Sequence, residues 1–246
     1  KLLLILTLLF SFSACGSRNL EEAASTEAAS SNTSENRETT KSAGKLSADN
    51  LPADPDISAS LIFQDTLPLD YAERFRIFEY QDGYTLIGIC DGTQFLIVPD
   101  GHPVPADLDS SITVLQQPID SIYLAGSSCM DMFVRINALE SISLSGMQSE
   151  KWHIPEAREA MENGSILYAG KYNIPDYELI LSRSCDLAIE NTMILHTPEV
   201  REQLMKTGIP VLIDHSSYET HPLGRTEWVK LYGVLTGHKQ EALDAF

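Results

Sequence analysis

The sequence lacks a glycine-rich phosphate loop of either the G-x-x-x-x-G-K-[ST] or the G-x-G-x-x-G kind, and it has no G-x-S-x-G turn. A nucleotide site and a serine-hydrolase elbow therefore have no motif support. Positive charge is scarce: 17 Lys and Arg stand against 35 Asp and Glu, a net charge of −18. Too few cations are present to neutralise a phosphate backbone, which argues against nucleic acid as a partner. The same balance argues against electrostatic adhesion to anionic lipid. Only four cysteines occur, Cys15, Cys90, Cys129 and Cys185, and none is in a C-x-x-C spacing. Neither a disulfide framework nor a zinc ribbon is indicated, and the last three read as small buried hydrophobes. Long apolar runs are missing too. The longest, residues 2–10, falls well short of the ~20 residues that span a bilayer.

That short run is nevertheless informative. It follows Lys1 and ends in Ser11-Phe12-Ser13-Ala14-Cys15-Gly16. A basic residue, a short apolar core and small residues at the end make a secretion signal. The cysteine after Ser13-Ala14 resembles the bacterial lipobox, with Phe12 where Leu is usual. The resemblance implies that residues 1–15 are a lipoprotein signal peptide and that Cys15 is the lipidated first mature residue. The chain would then sit on the extracytoplasmic face of a Gram-positive-like cell membrane, tied to it by acyl chains such as palmitate. An ordinary signal peptide or a truncated membrane helix are the plainer alternatives.

Residues 16–56 are rich in Ser, Ala, Glu, Thr and Asn and contain no aromatic residue. Such a segment cannot bury enough surface to offset its chain entropy, so it is expected to be a disordered tether. Residues 57–117 form an extension whose centre, 74–99, reads as a β-meander. Asp82-Gly83 and Asp91-Gly92 sit between β-rich runs, and such turns ask for positive φ at both residues. A proline-rich connection follows.

From 118 to 225 apolar strands alternate with short helices. Five strands are expected (IDSIYLA, SISLSG, SILYAG, DLAIE and IPVLID). Pro155 and Pro198 suit first turns, Thr197 suits a cap, and Gly164 and Gly208 suit helix ends. The fold class this implies is α/β, a parallel, Rossmann-like βα lobe preceded by a short β-meander. A helix is expected from about Thr226 to the end of the sequence. Ligands of such sheets bind beyond the carboxyl ends of the strands.

Three chemistries compete at those ends. Ser127-Ser128 stand where a strand enters a helix, and serve either as a helix cap or as an anion-binding turn. Cys129 and His215 are the raw material of a Cys–His nucleophile, which would make the protein a surface-anchored hydrolase. His153, His215, Glu219 and His221 are the raw material of a Zn²⁺ or Mn²⁺ site, although no recognised metal spacing is present. The run from 216 to 228 is the densest polar and aromatic stretch. Tyr218 offers a ring and a hydroxyl, Arg225 suits an anionic group unless Glu219 or Glu227 takes it, and Trp228 suits the core.

Three stretches, PIDSIYLAGSS (118–128), AGKYNIPDYELILSRSCDLAIE (169–190) and GIPVLIDHSSYETHPLGRTEWVKLYG (208–233), resemble the substrate-binding lipoproteins of ABC importers. The type is the iron–siderophore and cobalamin one, also called type III periplasmic binding proteins. The resemblance covers most of residues 118–246 and leaves the β-meander aside. It implies a non-enzymatic monomer that captures a small-molecule metal chelate, an Fe(III)–siderophore, haem or corrinoid. That chelate is cargo, not a cofactor, and it is delivered to an ABC permease and its ATPase. By position, Glu178, early in the helix before D-L-A-I, matches the family's glutamate that docks on the permease. Ser127, Ser128, Lys171, Tyr172, Tyr218 and Arg225 match its ligand loops. The family has two lobes joined by a long helix. The sequence looks like the N-terminal lobe, with residues 226–246 as the start of the interlobe helix and the second lobe missing, so that half a cleft is expected.

Overall fold

Alternating apolar side chains build the first sheet. The computed structural model describes Leu51, Pro52 and residues 55–246. The signal segment, Cys15 and nearly all of the 16–56 stretch lie outside the described residues. β1 (Phe63–Thr66), β2 (Phe75–Tyr80), β3 (Thr85–Ile89), β4 (Gln94–Val98) and β5 (Ile112–Gln116) lie side by side in that order. Neighbours are antiparallel as far as β4, and β5 then runs parallel to β4. Residues two apart share a face. Phe75, Ile77, Ile87, Ile89 and Phe95 therefore enter the main core, while Phe78, Tyr80, Leu86 and Leu96 enter a smaller one covered by Leu61 and Leu108.

The predicted meander is present as β2 to β4, with two strands that the sequence pattern does not announce. All four residues of β1 are exposed, so no alternation marks it. β5 follows the proline-rich stretch. The first turn is as expected, with φ of 59° at Asp82 and 83° at Gly83. The second differs: only Gly92 has positive φ, 89°. Asp91 Oδ1 accepts from the Thr93 N–H at 3.0 Å and closes the turn through its side chain instead. The expected tether boundary at 56 also shifts. Leu51 is buried in the main core, Arg76 donates to the Pro52 carbonyl at 3.1 Å, and Tyr80 donates to the Pro55 carbonyl at 2.5 Å.

The second sheet is parallel. It comprises β6 (Ile122–Leu124), β7 (Ile142–Ser145), β8 (Leu167–Tyr168), β11 (Leu187–Asn191) and β12 (Val211–Asp214), in the order β12-β11-β6-β7-β8. Counted from its first strand the order is 3-2-1-4-5, the doubly wound arrangement. A small hairpin, β9 (Gly170–Lys171) and β10 (Ile174–Pro175), follows β8. Both faces are covered, which is why β6 and the first three residues of β11 and of β12 read as continuous apolar runs. Ile122, Leu124, Leu187, Ile189 and Leu212 meet α1 (Met130–Arg135) and α2 (Pro155–Glu162). Tyr123, Leu144, Ala188, Val211 and Ile213 meet α3 (Tyr177–Ser182) and α4 (Pro198–Lys206). Pro155 and Pro198 open their helices as expected. Thr197 stands at the N-cap of α4 as expected, but its hydroxyl donates back to the Ile194 carbonyl and accepts nothing from the helix.

The last helical stretch is also different from expectation. α5 (Pro222–Thr236) starts four residues before Thr226, where His221 Nδ1 accepts from the Leu223 N–H. It stops at Gly237, which is left-handed at φ 76°, and α6 (Lys239–Ala245) follows, so 226–246 is two helices. From Glu227 to Leu235 every residue of α5 is buried, as befits a helix enclosed on all sides. Trp228 packs edge-on against Phe75 of the first sheet at 5.1 Å, and Tyr232 lies against Phe133 of α1 at 4.9 Å. The meander and the βα lobe thus share one core through α5. No helix among the described residues is long and apolar enough to cross a membrane.

Candidate functional site

The strand order of the parallel sheet reverses between β6 and β11, and the chains leaving those two strands diverge to opposite faces. A crevice at that switch point is the expected ligand position in such sheets. The structure has a cleft there of about 310 Å³, at the carboxyl ends of β6, β7, β8 and β11.

Each wall has a local reason for its position. After β6 come Ala125 and Ser127. After β7, Gly146 brings the chain against the β6 end, since a Cβ there would lie 2.7 Å from Ala125 Cα. The Ser145 hydroxyl then pins the following loop. It donates to the Met147 carbonyl at 2.9 Å, and accepts from the Met147 N–H at 3.0 Å and the Trp152 indole at 3.3 Å. One donor and two acceptor sites are all a hydroxyl offers, so the loop carrying Met147, Gln148 and Lys151 is held fully. After β8, Gly170 has φ of 83°, and a Cβ would come within 2.2 Å of the Ile174 carbonyl oxygen. The Tyr123 hydroxyl donates to the Gly170 carbonyl at 2.9 Å from beneath. The hairpin so fixed presents Lys171 and Tyr172, and Tyr168 stands beside it. Asn191 closes the fourth side.

Next to Asn191, Glu190 is fully buried, and neither carboxylate oxygen has a hydrogen-bond partner. Burial pushes its pKa up to about 8, so it is mostly protonated at pH 7. Burial, with the Glu190 charge adding to it, also raises the Tyr123 phenol far above its ordinary value.

Of the residues named from sequence, Ser127, Lys171 and Tyr172 line this cleft together. Ser128 turns away. It donates to Asp214 Oδ2 at 3.1 Å and borders a separate hollow of about 1230 Å³ beside α1 and α5. Neither serine caps a helix through its side chain. Tyr218 and Arg225 follow the edge strand β12 and do not line the cleft. The Arg74 guanidinium lies 6.0 Å from the Tyr218 ring centre, and Arg225 donates to the Ser217 carbonyl at 2.8 Å. Glu178 is exposed in the first turn of α3, beside the capping Asp176. Lys151, Gln148 and Tyr168 also line the cleft, and no motif in the sequence marks them. Lys151 sits six residues past β7, outside the strand-end segments to which sequence reasoning attends. Glu190 was hidden inside an apolar strand.

The Cys–His pair is not assembled. Cys129 is fully buried and donates to the Gly126 carbonyl at 2.9 Å; burial drives its pKa well up, with Asp214 adding to the effect. His215, also fully buried, faces Asp91 at 3.6 Å instead. Burial works against the Asp91 charge, yet His215 and Thr93 hold its pKa down at about 2. Two of the residues expected to bind metal, His221 and Glu219, are likewise occupied elsewhere. His221 stacks on Tyr71 at 4.5 Å, and Glu219 accepts the Trp228 indole and the Glu73 and Arg74 amides. Among the described residues no three His, Cys, Asp or Glu gather as metal ligands.

No family model matches the chain. Two uncharacterized lipoproteins of Methanocaldococcus jannaschii are similar to it. One is 24% identical over 165 residues, covering 61% of this chain and 38% of the relative. The other is 23% identical over 171 residues, covering 68% and 43%. The chain thus spans about two fifths of the length of the curated relatives it matches. Among solved structures it is similar to a periplasmic heme binding protein from Pseudomonas aeruginosa, with 20% identity, 51% of this chain, 41% of that chain and a TM-score of 0.39. It is also similar to the molybdate periplasmic binding protein of a Haemophilus influenzae ABC transporter, with 16% identity, 51% and 44% coverage and a TM-score of 0.42. An iron uptake ABC transporter substrate-binding protein from Streptococcus pneumoniae is similar at 14% identity, 51% and 42% coverage and a TM-score of 0.39.

Proposed function

We propose that this chain is the N-terminal lobe of a lipid-anchored, extracytoplasmic solute-binding protein that serves an ABC importer. The observation that carries the reading is the cleft at the switch point of a 3-2-1-4-5 parallel sheet, where strand-end loops bring Ser127, Lys171, Tyr172 and Asn191 together. The lipobox-like Cys15 segment and the lipoprotein names of the relatives support an anchor outside the cytoplasm. The cargo is a metal chelate of the Fe(III)–siderophore, haem or corrinoid kind. The protein acts as a monomer that binds and hands over its cargo without catalysing a reaction. Exposed Glu178 meets the permease, whose ATPase drives transport.

Titration of the full chain with siderophore, haem and corrinoid complexes, read by Trp152 fluorescence next to the cleft, tests the reading. Saturable quenching by one class is expected, and loss of it in Tyr172→Ala. For the docking role, Glu178→Ala is expected to leave binding intact and slow uptake; unchanged uptake removes that role.

A further inference from the structure

We propose that the cleft selects a net anionic ligand, with oxyanion groups meeting Lys151 and Lys171 and an apolar part resting on Met147, Tyr168 and Tyr172. This rests on the solute-binding reading above and names the charge class of the cargo.

Every other described lysine is already paired. Lys206 meets Glu202 at 3.6 Å, Lys230 meets Glu227 at 2.8 Å, and Lys239 meets Glu79. Among the described lysines, the Lys151 and Lys171 side chains alone have neither an ion pair nor a hydrogen bond, and both line the cleft. In a chain with twice as many acids as bases, two unpaired lysines at one cleft are not what a solvated surface of that composition supplies. Among the described residues no acid lines the cleft. Glu150, beside Lys151 in sequence, accepts instead from the Ser149 hydroxyl at 3.4 Å. The buried Glu190 nearby is protonated at neutral pH and adds little negative charge.

The two lysines come from separate loops, one after β7 and one on the β9–β10 hairpin, and each loop is fixed from below, by Ser145 and by Tyr123. Their flexible stems cost entropy when immobilised, so a ligand must bring charge to both to gain from both. A cleft of one sign within an acidic surface also repels cations and focuses anions. A cationic chelate is disfavoured on both counts.

The test uses the full chain, the Lys151→Glu and Lys171→Glu variants and the double variant, with folding checked by circular dichroism. The probes are anionic Fe(III)–citrate, cationic Fe(III)–desferrioxamine B and neutral cyanocobalamin, at low and physiological salt. The expectation is a preference of at least about tenfold for the anionic probe, weakened by salt and lost by about tenfold or more in the double variant. Equal or tighter binding of the cationic or neutral probe, or an unchanged ranking in the double variant, overturns the charge assignment while leaving solute binding in place. Absence of binding by all three probes overturns both.

Discussion

Lys230 Nζ donates to Glu227 Oε1 at 2.8 Å within α5, and the same buried carboxylate accepts the backbone N–H groups of Asp70, Tyr71 and Ala72 at 2.7–2.8 Å. One ionised side chain of the central helix thereby holds the strand connection that leads into β2. Glu219 does the same for Glu73 and Arg74. Together they join the meander to the βα lobe. Glu227→Ala leaves three amides without their acceptor and Lys230 with only the Pro68 carbonyl, and is expected to cost about 3–5 kcal/mol, the range for breaking a buried pair. Urea denaturation measures it. A loss under about 1 kcal/mol would mean that the clamp contributes no more than an exposed ion pair.

Glu190 sets a pH dependence of the opposite sign to most carboxylates. Its folded pKa is raised to about 8 from an ordinary 4.5. The folded state therefore holds a proton that the unfolded chain releases, and stability is fullest below pH 4.5 and falls as pH rises toward 8. Glu190→Gln removes that fall. The variant is expected to match the native protein near pH 5 and exceed its stability by roughly 2–5 kcal/mol at pH 9. Parallel stability curves from pH 5 to 9 would contradict this. Asp91 acts the other way: its pKa is held at about 2, so its contribution is present above pH 4 and lost as pH falls toward 2.

Gly170 is the hinge of the cleft's hairpin. Any side chain there meets the Ile174 carbonyl and must also adopt φ of 83°. Gly170→Ala is expected to destabilise the fold by about 1–3 kcal/mol and to displace Lys171 and Tyr172, so ligand affinity falls further than stability alone predicts. Retained affinity at full occupancy would show that the hairpin does not shape the site.

The thiols offer a test of the hydrolase alternative. Cys90 and Cys129 are fully buried and Cys185 is half-buried. Burial raises all three pKa values, Cys185 to about 11, and the thiolate is the reactive form. Of these three thiols, Cys185 alone is expected to react with a disulfide reagent in native protein, and slowly, while all three should react in denaturant. Rapid labelling of Cys129 in native protein would revive a nucleophilic role.

Much of the βα lobe was legible from residues. The runs at 122–124 and 187–189 are apolar on both faces because both faces are covered, and Pro155, Pro198, Gly164 and Gly208 mark helix ends through backbone chemistry alone. β1 was not legible, since its exposed FQDT carries no alternation. Nor was the break in the final helix, because Gly237 is a terminator only where Gly233 packs on the His238 carbonyl and the Ala242 side chain. Within the site, strand-end reasoning located Ser127, Lys171 and Tyr172. It gave Tyr218 and Arg225 equal weight because sequence does not reveal that β12 is an edge strand, away from the switch point. Lys151 was invisible because it arrives through a loop whose position depends on Ser145.

Hydrogen exchange of the full chain with and without its best-binding chelate tests the central claim most directly. Slowed exchange of amides in 146–152, 170–175 and 191–193, with 216–225 unchanged, is the predicted result. Protection confined to 216–225 or to the first sheet would place binding elsewhere and contradict the assignment of the cleft.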